Sequence, residues 1–573
     1  MPILPKSIVL KLEPYQGPSE GRHSCVRLDF NENTKGFPEA YPAGMPDTAV
    51  SAYPEYGPLI KRLADFYLVD EASLMLTNGS DEALMVIANT YIEPGEDRAI
   101  VSKPCFVVIP HCLKLAGATV HEVPVNSDLS FDIEGIEKTL RAGAKLAMLA
   151  SPENPTGSLL DISLVKEWCL LYPDTLFVID EAYGEYANSS MLSAINEYDN
   201  LLVLKTFSKA WGMAGLRLGI TFGNAKLIEY MLRVRLPYSV NSAAVWTANQ
   251  LLDRQSEVAD AVRTAKEEKS RLCEALQARG YRTDVGHSNS FLLGAGANAM
   301  RLTDYCKSQN VLIRNRSAAQ FPTDLNGARP VMWGKVRVSI GTPDENCRFL
   351  KTLDSFDQSY GVIFDLDGTL VDTSTSFDRT VAELVERYSG RPLFAHELQA
   401  LRAEGGFNDD WVATHELLTR RGVEVTLSEI TEEAVRLYLS IAKESESMLC
   451  DLSVLEKIKA RHPIFIVTGR TREEYTPVWA DRLDAVFSRI YCLNDLPDKL
   501  AKPSPDYLLQ VMSDYNLKSG VYVGNGVDDM QAARAAGLDA VAVTTTLPVE
   551  ILQKAGAQIA LTSVNQLEEV YML

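Results

Sequence analysis

The sequence predicts an α/β protein of more than one domain, in which short apolar strands alternate with helices. Buried strands are indicated by AMLA, LFVID, LLVLKT and LGITFG, which are aliphatic and lie between stretches of helical spacing. A chain of 573 residues is too long for a single core. Such an alternation forms a three-layer domain whose ligands bind at the carboxyl ends of the strands.

Composition excludes several classes of function. The net charge of −20 argues against a nucleic-acid partner. There is no apolar run of about 18 residues and no basic segment leading into an apolar one, so we expect neither a membrane span nor a signal peptide. The nine cysteines are scattered without a C-x-x-C pair, which is typical of reduced thiols. We therefore expect a cytoplasmic protein.

The most informative stretch is 206–219, TFSKAWGMAGLRLG, which directly follows the strand LLVLKT. Lys209 lies at the end of this strand among small and apolar residues. Desolvation there favours the neutral amine, which can bond covalently to an aldehyde. The hydroxyls of Thr206 and Ser208 and the guanidinium of Arg217 can hold a phosphate nearby.

A second apolar strand, LFVIDEAY, ends in Asp180, with Tyr183 just beyond it. A buried Asp paired with a buried Lys is what pyridoxal phosphate (PLP) needs, since the lysine binds the aldehyde and the carboxylate keeps the pyridine nitrogen protonated. These residues resemble the fold-type I PLP-dependent aminotransferases, and among them the histidinol-phosphate aminotransferases. The resemblance covers residues 1–353, with a large domain at about 45–245 and a small domain at 1–44 and 246–353.

The resemblance implies further contacts with PLP. An Asn-Gly turn leads into a helix whose free N–H groups suit a phosphate. Asn154 precedes Pro155, which fixes it in an extended turn. By the resemblance Asn154 donates to the PLP 3′-oxygen, and Tyr53 reaches the phosphate of a second subunit, which implies a homodimer. The remaining implied contacts are the phosphate cup at Gly79, Ser80 and Asp81, and the stacking ring of Phe106.

The substrate residues implied by the resemblance are Tyr15, Asn31, Arg314, Arg337 and Arg348. Arginine forks suit both the phosphate and the carboxylate that such an enzyme binds in turn. The order Asn289-Ser290-Phe291 departs from the family pattern, so we assign Asn289 no role. A PLP lyase of the threonine-phosphate decarboxylase type shares nearly all these motifs and stays open as an alternative.

A second chemical signature begins at 362 with VIFDLDGTL, where a strand delivers Asp365 and Asp367 into a Gly-Thr turn. The strand FIVT ends at Thr468, Lys502 lies in AKPSPDYL, and the strand VYVG leads into an acidic loop. These four segments resemble the haloacid dehalogenase (HAD) phosphatases. The chain is therefore expected to be a fusion, with a linker at 354–360 and a HAD-like Rossmannoid domain at 361–573.

The resemblance assigns roles to these residues. Asp365 is the nucleophile that becomes an aspartyl-phosphate, and Asp367 is the general acid and base. Thr468 and Lys502 neutralise the transferring phosphoryl oxygens. Mg²⁺ takes oxygen ligands. The predicted ligands are Asp365, the carbonyl of Asp367, and the acidic loop with Asn525, Asp528 and Asp529. Asp529 also matches the second acid of the family pattern, which by the resemblance orients Lys502.

Two features of this second domain carry expectations of their own. Asn525 stands where the family has its usual acidic metal ligand, so we expect weakened Mg²⁺ affinity. A mostly helical segment at about 375–455 is expected to form a cap that selects the substrate, with Glu404, Gly405 and Gly406 as its substrate loop.

The leading hypothesis is a bifunctional enzyme of histidine biosynthesis. Its first domain would transfer an amino group between glutamate and imidazole-acetol phosphate, and its second would hydrolyse the resulting histidinol phosphate. Two alternatives for the C-terminal domain stay open: a regulatory module without activity, and a phosphatase for another ester.

Overall fold

The computed structural model describes residues 7–12, 20–317, 330–407 and 409–571, and it confirms an α/β architecture with two separate central sheets. Helices cover both faces of each sheet. The two sheets belong to the two halves of the chain, in agreement with the predicted fusion of two α/β units.

The N-terminal half contains thirteen strands and eleven α-helices among the described residues. The strands are β1 (Val26–Arg27), β2 (Leu74–Thr77), β3 (Arg98–Lys103), β4 (Thr119–Pro124), β5 (Leu146–Ala150), β6 (Leu176–Asp180), β7 (Leu201–Thr206), β8 (Gly219–Gly223), β9 (Thr283–Asp284), β10 (Ser290–Gly294), β11 (Val311–Leu312), β12 (Arg314–Asn315) and β13 (Lys335–Ser339). The helices are α1 (Thr48–Ser51), α2 (Gly57–Tyr67), α3 (Gly79–Tyr91), α4 (Val108–Ala116), α5 (Ile133–Arg141), α6 (Ile162–Leu171), α7 (Ala225–Leu232), α8 (Ser242–Leu252), α9 (Gln255–Gln277), α10 (Ala299–Ser308) and α11 (Pro343–Ser359).

A seven-stranded sheet with the order β2-β8-β7-β6-β5-β3-β4 forms the centre of this half. Its strands are buried on both faces, because alternate side chains enter two different cores. Leu201 and Val203 of β7 pack into one core, whereas Leu202 and Leu204 pack into the other. Strands β3 to β7 are parallel, so their carboxyl ends share one edge of the sheet.

Two smaller sheets stand apart from this centre. One is an antiparallel sheet with the order β12-β13-β10-β9. The other is a parallel pair in which β1, near the N-terminus, joins β11. The first strand therefore lies beside β11, which also contacts helix α11.

The C-terminal half contains eight strands and ten α-helices among the described residues. The strands are β14 (Tyr360–Phe364), β15 (Val371–Asp372), β16 (Ser447–Met448), β17 (Ile464–Thr471), β18 (Arg489–Leu493), β19 (Ser519–Gly524), β20 (Asp539–Val543) and β21 (Ile559–Leu561). The helices are α12 (Phe377–Ser389), α13 (Ala395–Glu404), α14 (Asp410–Arg420), α15 (Leu427–Ser445), α16 (Leu452–Arg461), α17 (Arg472–Leu483), α18 (Asp506–Asp514), α19 (Val527–Ala535), α20 (Val549–Ala555) and α21 (Leu567–Val570).

The second central sheet is parallel throughout and has the order β18-β17-β14-β19-β20-β21. Strand β14 lies inside the sheet, between β17 and β19. Helices α12 to α15 have an apolar core of their own, which includes Val381, Leu418 and Ile430. We call residues 377–445 the cap; a short antiparallel ribbon of β15 and β16 joins it to the sheet.

The predicted linker at 354–360 is wrong. Helix α11 runs to Ser359, and strand β14 begins at the next residue. Leu353, Phe356 and Tyr360 are buried within this stretch, and they belong to one apolar cluster that also contains residues of β10, β13 and β17. The two halves of the chain therefore share a hydrophobic core.

The structure can be compared with two expectations from composition, on membrane spans and on the cysteines. Among the described residues, no helix combines the length and the apolar character that crossing a bilayer requires. All nine cysteines lie in the described part of the chain, and none of them is paired in a disulfide.

We predict that Phe356→Ala destabilises both halves together, because its ring packs against Tyr305, Tyr360 and His462 in the shared core. Loss of a buried Phe costs about 3–5 kcal/mol. Chemical denaturation followed by far-UV circular dichroism measures it, with Lys351→Ala on the exposed face of α11 as the control. A variant whose loss of stability stays within one half would contradict the shared core.

Candidate active sites

A cavity of about 260 Å³ lies at the carboxyl ends of β5, β6 and β7. The structure brings twelve of the sequence-predicted residues to its wall: Ser80, Asp81, Phe106, Asn154, Asp180, Tyr183, Thr206, Ser208, Lys209, Arg217, Arg314 and Arg337. They come from separate segments, and the parallel strands collect them at one edge of the sheet.

Lys209 follows β7 and extends into this cavity. Its Nζ donates to the carbonyl of Phe30 over 2.9 Å and lies 5.7 Å from the centroid of the Tyr183 ring. The Tyr183 hydroxyl in turn accepts a hydrogen bond from Asn31 Nδ2 at 3.1 Å. These contacts hold the amine at the cavity wall, where it would meet an aldehyde bound in the cavity.

Asp180 ends β6 and is buried. Burial raises the pKa of its carboxyl to about 7, against the backbone N–H of Ala182, which donates to Oδ1 at 3.0 Å. A carboxyl in this condition holds or releases a proton near neutral pH. It therefore fits the pyridine nitrogen of PLP as a partner for a shared proton.

The residues predicted to bind the PLP phosphate form a cradle at the start of α3. Gly79 has a left-handed φ of +76°, and a Cβ at this position would collide with the guanidinium of Arg217. Arg217 donates to Asp81 Oδ2 at 2.8 Å and to Ser208 Oγ at 3.3 Å. Free N–H groups of the first helical turn, a hydroxyl and a guanidinium fit a phosphate dianion.

Three further arginines, Arg314, Arg316 and Arg337, line the cavity. Arg337 is buried and donates to Asn154 Oδ1 at 2.6 Å and to the carbonyl of Asp29. Burial, together with the nearby Arg316 and Arg314, lowers the pKa of Arg337 to about 10. A cluster of guanidinium groups this close together fits an anionic ligand of more than one charge.

Arg316 is absent from the residues singled out in the sequence. It lies two positions after Arg314, and side chains two apart on a strand point to the same side. The spacing of two residues from Arg314 could therefore have predicted Arg316 as a residue of this cavity. Phe30 and Glu32 also line the cavity; they were not predicted as site residues, although they flank the predicted Asn31.

Four other residues from the sequence analysis do not line this cavity: three lie elsewhere in the structure, and one lies outside the described residues. Tyr53 is 76% exposed and stacks on Tyr238, with ring centroids 4.4 Å apart. Arg348 was predicted to bind substrate, but it is exposed on α11 and donates to the carbonyl of Gln309, away from the cavity. Asn289 donates to the carbonyl of Asn31. Tyr15 lies outside the described residues.

The second site lies at the carboxyl end of β14, where Asp365 is buried next to Lys502. Lys502 Nζ donates to Asp365 Oδ1 at 2.6 Å, to Asp529 Oδ1 at 2.8 Å and to Tyr522 Oη at 3.0 Å. Burial raises the pKa of Asp365 and the Lys502 ammonium opposes that shift. The lysine is thus fixed beside the predicted nucleophile.

Asp367 is held from the other side. Thr468 Oγ1 donates to Asp367 Oδ2 at 3.2 Å, and Arg470 donates to Oδ1 with Nε at 2.7 Å and Nη2 at 2.5 Å. Arg470 is fully enclosed and also contacts Tyr438 and Glu446 at the end of the cap. Arg470 is not among the residues predicted from the sequence, although it follows Thr468 by only two residues.

The predicted metal ligands divide into two groups. Asp529 was predicted as a metal ligand, but its oxygens are already bonded. Its Oδ1 accepts a hydrogen bond from Lys502 and its Oδ2 accepts the N–H groups of Asn525 and Gly526, so the carboxylate orients the lysine. Asp365 Oδ2 and Asn525 Oδ1 both accept from the Thr369 hydroxyl at 3.3 Å, which places the two oxygens near each other. Within the described residues, no three His, Cys, Asp or Glu side chains are grouped to hold a metal ion.

An oxygen set of Asp365, the Asp367 carbonyl and the Asn525 amide nevertheless fits Mg²⁺, which prefers few protein ligands and keeps several waters. Asp528 is buried at the same cavity, and its carboxylate accepts the backbone N–H of Gly406 at 2.8 and 3.0 Å. The predicted substrate loop of the cap therefore contacts this acid directly. Glu404 instead points to Arg420.

We predict that Lys209→Ala removes the covalent attachment of PLP. The variant should lack the visible absorbance band of the bound cofactor and lose PLP on dialysis, whereas the exposed Lys226→Ala should retain both. Absorption spectra before and after dialysis measure the difference. Retention of the band by the Lys209 variant would rule out this lysine.

We predict that Asn525→Asp tightens Mg²⁺ binding roughly tenfold, because affinity for hard cations rises with ligand charge. Isothermal titration with Mg²⁺ measures the affinity without any substrate. Asn516→Asp, in an exposed turn of the same half, controls for the change in net charge. Unchanged affinity would place the metal elsewhere.

Comparison with known proteins agrees with both sites. Residues 26–353 match the family described as aminotransferase class I and II, and residues 361–537 match the haloacid dehalogenase-like hydrolases. Histidinol-phosphate aminotransferase 1 of Idiomarina loihiensis is 31% identical over 362 residues, or 60% of this chain and 95% of that protein. The Symbiobacterium thermophilum histidinol-phosphate aminotransferase is 33% identical over 342 residues, covering 58% and 91%.

A solved structure supports the fold. The histidinol-phosphate aminotransferase from Sinorhizobium meliloti in complex with pyridoxal-5'-phosphate matches with a TM-score of 0.52 at 23% identity, over 60% of this chain and 95% of that one. The aminotransferase domain of this chain is followed by a haloacid dehalogenase-like hydrolase domain. The chain therefore belongs to the class I and II aminotransferases, whose cofactor is PLP.

Proposed function

We propose that this chain is a bifunctional cytoplasmic enzyme that catalyses two consecutive reactions of histidine biosynthesis. The first domain, 1–353, transfers an amino group between glutamate and imidazole-acetol phosphate to give histidinol phosphate and 2-oxoglutarate. The second domain, from 361 onward, hydrolyses histidinol phosphate to histidinol. The observation that carries the proposal is the presence of an anion-binding transaminase site and an aspartate-based phosphatase site on one chain.

The arginines support a phosphorylated substrate for the first reaction. Arg314, Arg316 and Arg337 line the same cavity as Lys209, and together they suit the dianionic end of a phosphorylated substrate. PLP, when bound, supplies the electron sink. Lys209 Nζ then carries the proton to and from the substrate carbon, and Asp180 holds the proton at the pyridine nitrogen.

The second reaction follows from Asp365 and Asp367. A carboxylate oxygen of Asp365 attacks phosphorus while the proton on Asp367 passes to the leaving alkoxide oxygen. Asp367 then takes a proton from water, whose oxygen attacks the phosphorylated Asp365 and releases inorganic phosphate. Lys502 and Thr468 stabilise the negative charge on the phosphoryl oxygens. Mg²⁺ at Asp365 and Asn525 would offset the charge of the nucleophile.

We also propose that the first domain acts as a homodimer. Tyr53, Leu236 and Tyr238 are large and exposed, Leu236 by 71%. A group of exposed apolar side chains at one place is typical of a protein interface. Burial of Tyr53 against a second copy would bring its hydroxyl to that copy's cofactor site.

The test measures each reaction separately in the full-length protein. Wild type should form 2-oxoglutarate from glutamate and imidazole-acetol phosphate, and should release phosphate from histidinol phosphate when Mg²⁺ is present. Lys209→Ala should abolish only the first reaction and Asp365→Asn only the second. Phosphate release that survives Asp365→Asn would rule out the aspartyl-phosphate route.

The remaining outcomes separate the alternatives. Release of phosphate from other esters but not from histidinol phosphate would keep the chemistry and overturn the pathway. No release from any ester would indicate a HAD domain without catalytic activity. Decarboxylation of threonine phosphate in place of transamination would identify the first domain as a PLP lyase.

A further inference from the structure

The phosphatase cavity is more acidic than the binding of a phosphate dianion requires. Asp365 and Asp367 are needed for chemistry, but further carboxylates line the same cavity: Asp409, Asp410, Glu474 and Asp528. The Mg²⁺ proposed at Asp365 and Asn525 offsets the acids of the hydrolase sheet, whereas Asp409 and Asp410 lie on the cap, where acids favour a positive charge on the alcohol portion of the ester.

The two arginines of the cavity wall do not neutralise this excess. Arg402 is bound by Asp378 and Asp410, each at 2.7 Å. Arg470 is bound by Asp367 and by Glu446. Each guanidinium therefore already faces two carboxylates, and the wall stays negative.

Asp409 is the acid with spare capacity. Its Oδ1 accepts the N–H groups of Trp411 at 2.8 Å and Val412 at 3.1 Å, which caps the N-terminus of α14. Among the residues the structure describes, Oδ2 of Asp409 accepts no hydrogen bond. A capping residue needs only one oxygen, and Asn caps as well as Asp does. The charge of Asp409 is therefore not required by the helix.

Aromatic rings stand beside these acids. Phe377, Phe407 and Trp411 all line the cavity. Trp411 Nε1 donates to Glu474 at 2.7 Å, which fixes the orientation of the indole, and the Phe377 and Trp411 rings lie 5.2 Å apart. Ring faces attract cations, and Trp does so most strongly. The Arg470 guanidinium, 5.0 Å from its centroid, and the stacked Tyr438 ring already cover Phe377, so Trp411 and Phe407 are the rings that remain to meet an organic cation beside the carboxylates.

We propose that Asp409 and the adjoining rings select phosphate monoesters whose alcohol portion carries a positive charge, such as an ammonium or a protonated imidazole. This inference rests on the proposed phosphatase function and names the substrate class of that site. Esters whose alcohol portion carries a carboxylate are rejected by the same charges. Thr468 and Lys502 meet the phosphoryl group, and the cap wall meets the alcohol.

The test uses three esters of one length: 2-aminoethyl phosphate, 2-hydroxyethyl phosphate and phosphoglycolate, which carry a positive, a neutral and a negative alcohol portion. We expect kcat/KM to fall in that order, with about five- to tenfold between the first two. Asp409→Asn should reduce this ratio by about the same factor. Glu424→Gln, which removes an exposed acid of the cap outside the cavity, should leave it unchanged.

Measurements of binding test the selectivity for a positively charged alcohol portion independently of turnover. Isothermal titration of the three esters into the Asp365→Asn protein, with and without Asp409→Asn, should show the same order of affinities and the same dependence on Asp409. If no ester is hydrolysed but this order holds, the phosphatase proposal fails and the inference stands. A ratio that Asp409→Asn does not alter, tighter binding of phosphoglycolate, or no binding of any ester would overturn it.

Discussion

The continuous passage of α11 into β14 fixes how the two halves of this protein stand to each other. Phe356 and Tyr360 pack their rings together across the junction, with centroids 5.9 Å apart. Asp357, between them, accepts a hydrogen bond from the Tyr281 hydroxyl at 2.6 Å, and the Arg461 guanidinium lies 3.8 Å from the centroid of that tyrosine ring. Because both halves contribute to one buried core, the second site has a fixed position relative to the first.

The junction also contains polar groups that are costly to bury. Burial raises the pKa of Asp357 to about 7 and lowers the pKa of His462 to about 3. The Tyr360 and Tyr571 hydroxyls pair at 3.2 Å, which ties the last helix of the chain to the first strand of the hydrolase sheet. Such pairs add little net stability but leave few alternative ways to dock the two halves.

Both active sites follow one structural rule. In each of them, parallel strands deliver a buried carboxylate to the edge of the sheet: Asp180 at the end of β6 and Asp365 just after β14. A cation from another segment completes the site, namely Lys209 in the first and Lys502 in the second. Asp180 and Asp365 come at the ends of apolar runs and Lys209 follows one by three residues, so the sequence marks them, whereas Lys502 follows no apolar run and was predicted from the resemblance to the HAD phosphatases.

Other parts could not be read from the sequence for physical reasons. The polar letters DSFDQSY at the predicted linker have the composition of a loop, but Phe356 and Tyr360 have helical spacing and their burial decides the structure. Asp529 lies in an acidic loop like a metal ligand, yet four donors, from Lys502, Tyr522, Asn525 and Gly526, occupy both of its oxygens. Arg402 and Asp409 enter the site only through the folding of the cap, and no local pattern marks them.

The central claim is that one chain performs both reactions in sequence, and a single incubation tests it. Purified protein with PLP and Mg²⁺ receives imidazole-acetol phosphate and glutamate, and all products are quantified over time. The account predicts equal amounts of 2-oxoglutarate, histidinol and inorganic phosphate at completion. Accumulation of histidinol phosphate without release of phosphate would contradict it.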